Sequence, residues 1–129
     1  MTIAVKWQRL EGGIIMLSCL GIYLSDPRAV PWWAALMIFF APDLSLLAYA
    51  FGPRVGAFAY NAVHVYALGL AVIALSLILE APATLAAGAL LCAHAGFDRL
   101  LGYGLKSPDG FTHTHLGEIG RARRGWRRI

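Results

Sequence analysis

Charge is scarce in this chain of 129 residues: 14% are Asp, Glu, Lys or Arg, against 59% hydrophobic. That balance overfills the core a single soluble domain of this size can bury, and a membrane is the simplest solvent for it. Cysteine is also rare. Cys19 and Cys92 both lie inside apolar runs, where a thiol behaves as a small hydrophobe, and the absence of a CxxC spacing excludes a thiolate zinc site or a dithiol redox pair. Acidic residues number only 7, and the net charge of +4 comes largely from Arg121, Arg123, Arg124, Arg127 and Arg128. The basic balance thus belongs to a tail. With no RNA-binding aromatic motif beside it, its expected partner is anionic lipid headgroups rather than nucleic acid. Lys6 and Arg9 precede an apolar run in the manner of a secretory signal, but no small-residue cleavage site follows and three more apolar runs do, so an uncleaved first span is expected.

Apolar runs extend from about Leu10 to Ser25, Val30 to Phe51, Val55 to Leu79 and Ala83 to Leu105. A helix needs roughly 20 residues to cross the hydrocarbon, so the first is short unless it begins near Val5. Turn signals separate the runs: Asp26-Pro27-Arg28, Gly52-Pro53-Arg54 and Glu80-Ala81-Pro82. Backbone groups in lipid must be satisfied within their own segment, and Ala, Gly and Leu richness suits helices rather than an alternating barrel. The expected fold is all-α, an integral membrane bundle of four transmembrane helices over residues 1–106, a polar loop over 107–120 long enough to fold back on the bundle, and an arginine-rich tail over 121–129. Lys6, Arg9, Arg54, Arg99, Lys106 and the tail arginines fall on one side of such a bundle and only Arg28 on the other. Both termini are then expected in the cytoplasm.

This topology gives each polar side chain a depth. Glu11, Asp43, Asn61, His64, His94 and Asp98 all fall within roughly 15 Å of the cytoplasmic boundary at about 1.5 Å per residue. Charged groups in hydrocarbon cost several kcal/mol each, roughly, so they persist where they face the bundle interior and meet a partner. His94 and Asp98 are one helical turn apart, and Asn61 and His64 share a face with Tyr60 a turn before His64. Taken singly, each pair is ordinarily a structural hydrogen bond, and Arg99 ordinarily snorkels to the headgroups. Asp43 is the hardest to explain as packing. It follows Pro42, which deprives the carbonyl of Ile38 of its normal donor and kinks a helix. Glu11 precedes Gly12-Gly13, where another helix can approach closely, and Phe111-Thr112-His113-Thr114-His115 can offer a histidine from below.

Together these residues form the mix of carboxylate and imidazole that binds zinc, iron or manganese. Asp43, His64, His94, Asp98 and His115 are the expected metal ligands, Glu11 or Asp43 the general base, and Asn61, Tyr60 and Arg99 the supporting residues. An ion with an open position generates a nucleophile for hydrolysis of a lipid-like ester or phosphoester, whereas iron supports oxidation of a lipid or quinone. Intramembrane acids and histidines also build proton relays, so a proton- or ion-coupled carrier is the alternative; four spans are few for one, and it needs a homo-oligomer. A third possibility is a non-catalytic assembly module packed through Gly12, Gly13 and Gly56.

Several strings taken together, Arg9-Leu10-Glu11-Gly12, Ala41-Pro42-Asp43-Leu44-Ser45, Gly52-Pro53-Arg54-Val55-Gly56, Tyr60-Asn61 with His64, His94 with Gly96 and Asp98-Arg99, Gly102-Tyr103-Gly104-Leu105-Lys106 and Thr114-His115-Leu116-Gly117, resemble a family of small bacterial integral membrane proteins catalogued as domain of unknown function 4260. The resemblance runs from Arg9 to about Gly120. It implies a multi-span protein of a bacterial inner membrane and supplies no activity, substrate or cofactor.

Overall fold

A computed structural model describes residues 1–119; the arginine tail lies outside them. Among the described residues the chain is mostly helical. Helix α1 runs Ile3–Ser25, its first turn capped by the Thr2 hydroxyl, which accepts from the amide of Val5 at 3.3 Å. It therefore starts well before the apolar run and is long enough to cross a bilayer in length. The second run is helix α2, Trp32–Phe40, continuing without a loop as a 3-10 helix, Ala41–Phe51. Pro42 explains the switch: with its N–H missing, the Ile38 carbonyl is taken instead by the amide of Ala41, a tighter three-residue closure.

The third run is broken where the sequence shows no proline or glycine. Helix α3, Pro53–His64, and helix α4, Tyr66–Leu79, are separated by extended Val65 and bent by 43°. Helix α5, Pro82–Leu101, ends at Gly102 in the left-handed region (φ 93°). There the amide of Tyr103 closes back on the carbonyl of Asp98 at 2.8 Å. The segment beyond carries two short antiparallel strands, β1, His113–Thr114, and β2, Gly117–Glu118.

Helix α5 is the axis on which α1, α2 and α4 pack. Small residues make this possible. A Cβ on Gly12 would come 2.8 Å from the Gly96 carbonyl oxygen, and one on Gly88 would come 2.8 Å from the Ile73 amide, so α1 and α4 meet α5 backbone to backbone. Cys19 and Cys92 are free thiols packed in one cluster with Ala89 and Ala93.

Large apolar side chains point outward and several polar ones are buried. The largest fully buried side chains are His64, His94 and Cys92, while Leu47, Phe51, Phe58 and Ile78 are more than 70% exposed. Among the described residues one helix, Trp32–Phe51, is long and apolar enough to cross a membrane, or two if the bent pair α3–α4 forms a single span.

Candidate metal centre

Four side chains from three helical segments meet in the lower half of the bundle. His94 and Asp98 lie one turn apart on α5, His64 is the last residue of α3, and Asp43 lies in the first turn of the 3-10 helix, next to Pro42. One ligand atom from each can be chosen so that all lie within 4.8 Å of one another. His64 Nε2 is 3.2 Å from His94 Nε2, 3.5 Å from Asp43 Oδ1 and 3.5 Å from Asp98 Oδ2. His94 Nε2 is 3.4 Å from Asp43 Oδ1 and 3.8 Å from Asp98 Oδ1. Ligand atoms about 2.0–2.2 Å from a tetrahedral zinc stand roughly 3.3–3.6 Å from one another. The three separations among His64 Nε2, His94 Nε2 and Asp43 Oδ1 are close to three edges of that tetrahedron, while Asp98 faces the two imidazoles with different oxygens.

The surroundings aim the ligands. His64 Nδ1 is 2.7 Å from the Tyr60 carbonyl, to which it donates, so in the neutral ring the lone pair sits on Nε2 and faces the cluster. The Tyr60 ring stacks on His64 with centroids 3.7 Å apart, and its hydroxyl donates to Asp98 Oδ2 at 2.8 Å. One tyrosine thus fixes both an imidazole and a carboxylate. Phe39 and Phe40 hold His94 edge-on. Among the described residues His94 Nδ1 has no hydrogen-bond partner, and no lysine or arginine forms a salt bridge with Asp43 or Asp98. Two carboxylates and two imidazoles therefore converge with no cation in contact. A single proton can bridge only one pair of these acceptors at a time, whereas a divalent ion satisfies them all.

His64, His94 and Asp98 are buried, but the Asp43 side chain is 44% exposed. It opens onto a cavity of about 480 Å³ lined also by Asp98, Tyr60, Lys106 and the apolar Leu46, Phe97, Leu101 and Phe111. Lys106 is buried beside it, and burial pulls its ammonium below the usual lysine range, an effect opposed by the Asp98 carboxylate.

Other residues with an expected role are placed elsewhere. Glu11 and His115 line a separate cavity of about 300 Å³ with Gln8, Tyr66 and Arg99. His115 is not free to ligate: its Nδ1 accepts from the Leu105 amide at 2.8 Å and its Nε2 lies 3.1 Å from Gln8 Oε1, so both ring nitrogens are engaged. Desolvation and the Arg99 charge hold its pKa below the usual histidine value. Glu11, on α1, is likewise remote from the cluster as a general base. Arg99 does not snorkel. It is buried, donating to the carbonyls of Tyr103 at 2.8 Å and His64 at 3.0 Å. The second bond satisfies the carbonyl that the break at Val65 leaves open. Asn61 holds the returning chain rather than the cluster, accepting from the Lys106 amide at 2.7 Å and donating to its carbonyl at 2.8 Å. His113, 50% exposed, pairs with Glu118 at 3.3 Å. Lys106 is the residue that sequence reasoning missed, since it counts there only as a positive charge at a span end.

No curated protein and no solved structure gives a significant match to this chain. Residues 5–119 match the family model described as domain of unknown function DUF4260, which takes in every residue of the cluster. On that match over most of its length, the chain belongs to the DUF4260 family.

Proposed function

We propose that Asp43, His64, His94 and Asp98 hold a divalent transition metal, and that the cavity beside it hydrolyses an ester or phosphoester reached from a membrane. The observation that carries this reading is the convergence of one ligand atom from each residue within 4.8 Å of one another, those of His64, His94 and Asp43 at 3.2–3.5 Å, without a contacting lysine or arginine. A mixed imidazole and carboxylate set suits zinc, iron or manganese. Four protein ligands would fill a tetrahedral ion, so the chemistry would call for an ion of higher coordination number, such as iron or manganese, which would make a water it holds more acidic. The residues supply the rest. His64, His94 and Asp98 form the buried base, oriented by Tyr60. Asp43, the exposed member, faces the cavity and is placed to take the proton of the attacking water.

The membrane setting rests on the outward apolar side chains, the apolar Trp32–Phe51 helix and the four helical runs, read together as a four-span bundle of a bacterial inner membrane. The charges of Lys6, Arg9, Arg54 and Lys106 support a cytoplasmic side for the cluster's end of the bundle, with anionic headgroups as the proposed partner of the arginine tail.

One observation favours a second reading. His94 Nδ1 lacks an acceptor among the described residues, which suits a tautomer protonated at Nε2 and a proton shared among His64, Asp43 and Asp98. That is a proton relay, and it belongs to a carrier. Purified protein loaded in turn with zinc, manganese or iron and offered p-nitrophenyl acyl esters and phosphodiesters separates the two. The hydrolase reading expects chelator-sensitive turnover that falls roughly 100-fold in Asp43→Asn. Absence of turnover with every metal, together with Asp43-dependent proton flux in proteoliposomes, supports the carrier instead.

A further inference from the structure

The cavity beside the cluster contains a cation that neither metal ligation nor helix packing requires. Lys106 is 5% exposed, and its backbone is fixed on both sides by the Asn61 amide. Its ammonium donates to the Phe111 carbonyl at 3.0 Å and lies 3.7 Å from the Phe111 ring centroid and 4.8 Å from that of Tyr60. Among the described residues no carboxylate forms a salt bridge with it. An ammonium has three N–H donors, and aromatic faces stabilise its charge without consuming it as a carboxylate would.

Charge counting then gives the cavity a sign. A divalent ion held by two ionised carboxylates and two neutral imidazoles is neutral as a unit, so Lys106 leaves the cavity one positive charge in excess. The flank is apolar. Leu46, Phe97, Leu101 and Phe111 line it, and Leu101 and Phe111 are 49% and 47% exposed, so an apolar chain has a side entrance. Phe97 also lines a separate apolar groove of about 470 Å³ formed with Leu20, Leu36 and Leu90.

We propose that Lys106 is the anion-binding residue of this cavity and that the ligand is an amphiphile with a negatively charged head and an apolar tail. The head lies between Lys106 and the cluster, and the tail lies along Phe97 and Leu101. This rests on the metal reading, because without an ion the two carboxylates outweigh the lysine and an anion is repelled.

The test is calorimetric titration of the zinc-loaded full chain, in a neutral maltoside detergent, with octyl phosphate, octyl glucoside and inorganic phosphate, zinc being counted in the same samples. Octyl phosphate should bind roughly tenfold more tightly than either partial ligand, and Lys106→Met should remove that advantage with the zinc content unchanged. Lys106→Arg, which keeps the charge, should retain part of it. The comparison of the three probes on the native chain does not depend on any variant folding. If zinc is bound but octyl phosphate binds no better than octyl glucoside, or binds equally well to Lys106→Met, the anion site is overturned and the metal reading stands. If the native chain binds no metal, both fall.

Discussion

The cavities beside Asp98 and Arg99 are lined by neighbouring residues of α5 and by similar side chains, yet they end in opposite states. On the Arg99 side the buried groups are partnered: the guanidinium donates to two carbonyls and both nitrogens of His115 are engaged, while Glu11 is exposed. On the Asp98 side two carboxylates and two imidazoles converge without a contacting lysine or arginine. Polar groups in an apolar surround cost free energy unless paired. A saturated cluster is explained by the fold it holds together. An unsaturated one needs something the chain itself does not provide, and this difference separates the candidate site from its structural counterpart.

The sharpest way to break the comparison is to remove one ligand from each side. His94→Ala should lower metal affinity by more than roughly 100-fold, because ligand loss exceeds the 10–100-fold typical of supporting partners. His115→Ala should leave metal binding unchanged. Equal effects of the two, measured by metal titration, would erase the distinction. Next comes Arg99→Met, which orphans the His64 and Tyr103 carbonyls and should cost about 2–4 kcal/mol of stability in detergent melts. Tyr60→Phe keeps the stacked ring but deletes the hydrogen bond to Asp98; metal affinity should fall about tenfold with little change in melting temperature.

The smallest effect is a pH dependence on the structural side. The folded pKa of His115 is lowered, so between that value and the ordinary 6.5 the unfolded chain binds more protons. The contribution of His115 is therefore complete above about 6.5 and is lost as pH falls from there through the lowered value. The protection factor of the Leu105 amide against exchange should fall on acidification, and His115→Gln should abolish that pH dependence.

Much of this site is legible in the sequence because depth is legible. Four apolar runs, read as alternating in direction, put Asp43, His64, His94 and Asp98 at one expected level, and the structure brings these four together. Depth says nothing about azimuth, however. Glu11 lies at a similar depth on α1 but lines the opposite cavity, and His115 is close in sequence terms but consumed by Leu105 and Gln8. The break at Val65 has no local signal either, since the donor that completes the His64 carbonyl arrives from Arg99, 35 positions away. Pro42 is the counterexample: its effect is local, so a disturbed helix beside Asp43 is readable directly, and only the form it takes, an eleven-residue 3-10 continuation, had to come from the structure.

Elemental analysis of the full chain purified gently in detergent, set beside a folded His94→Ala control, tests the central claim most directly. The account expects about one zinc, iron or manganese ion per native chain and none in the control. Native protein that melts cooperatively, contains no such metal and takes up none on titration would contradict it.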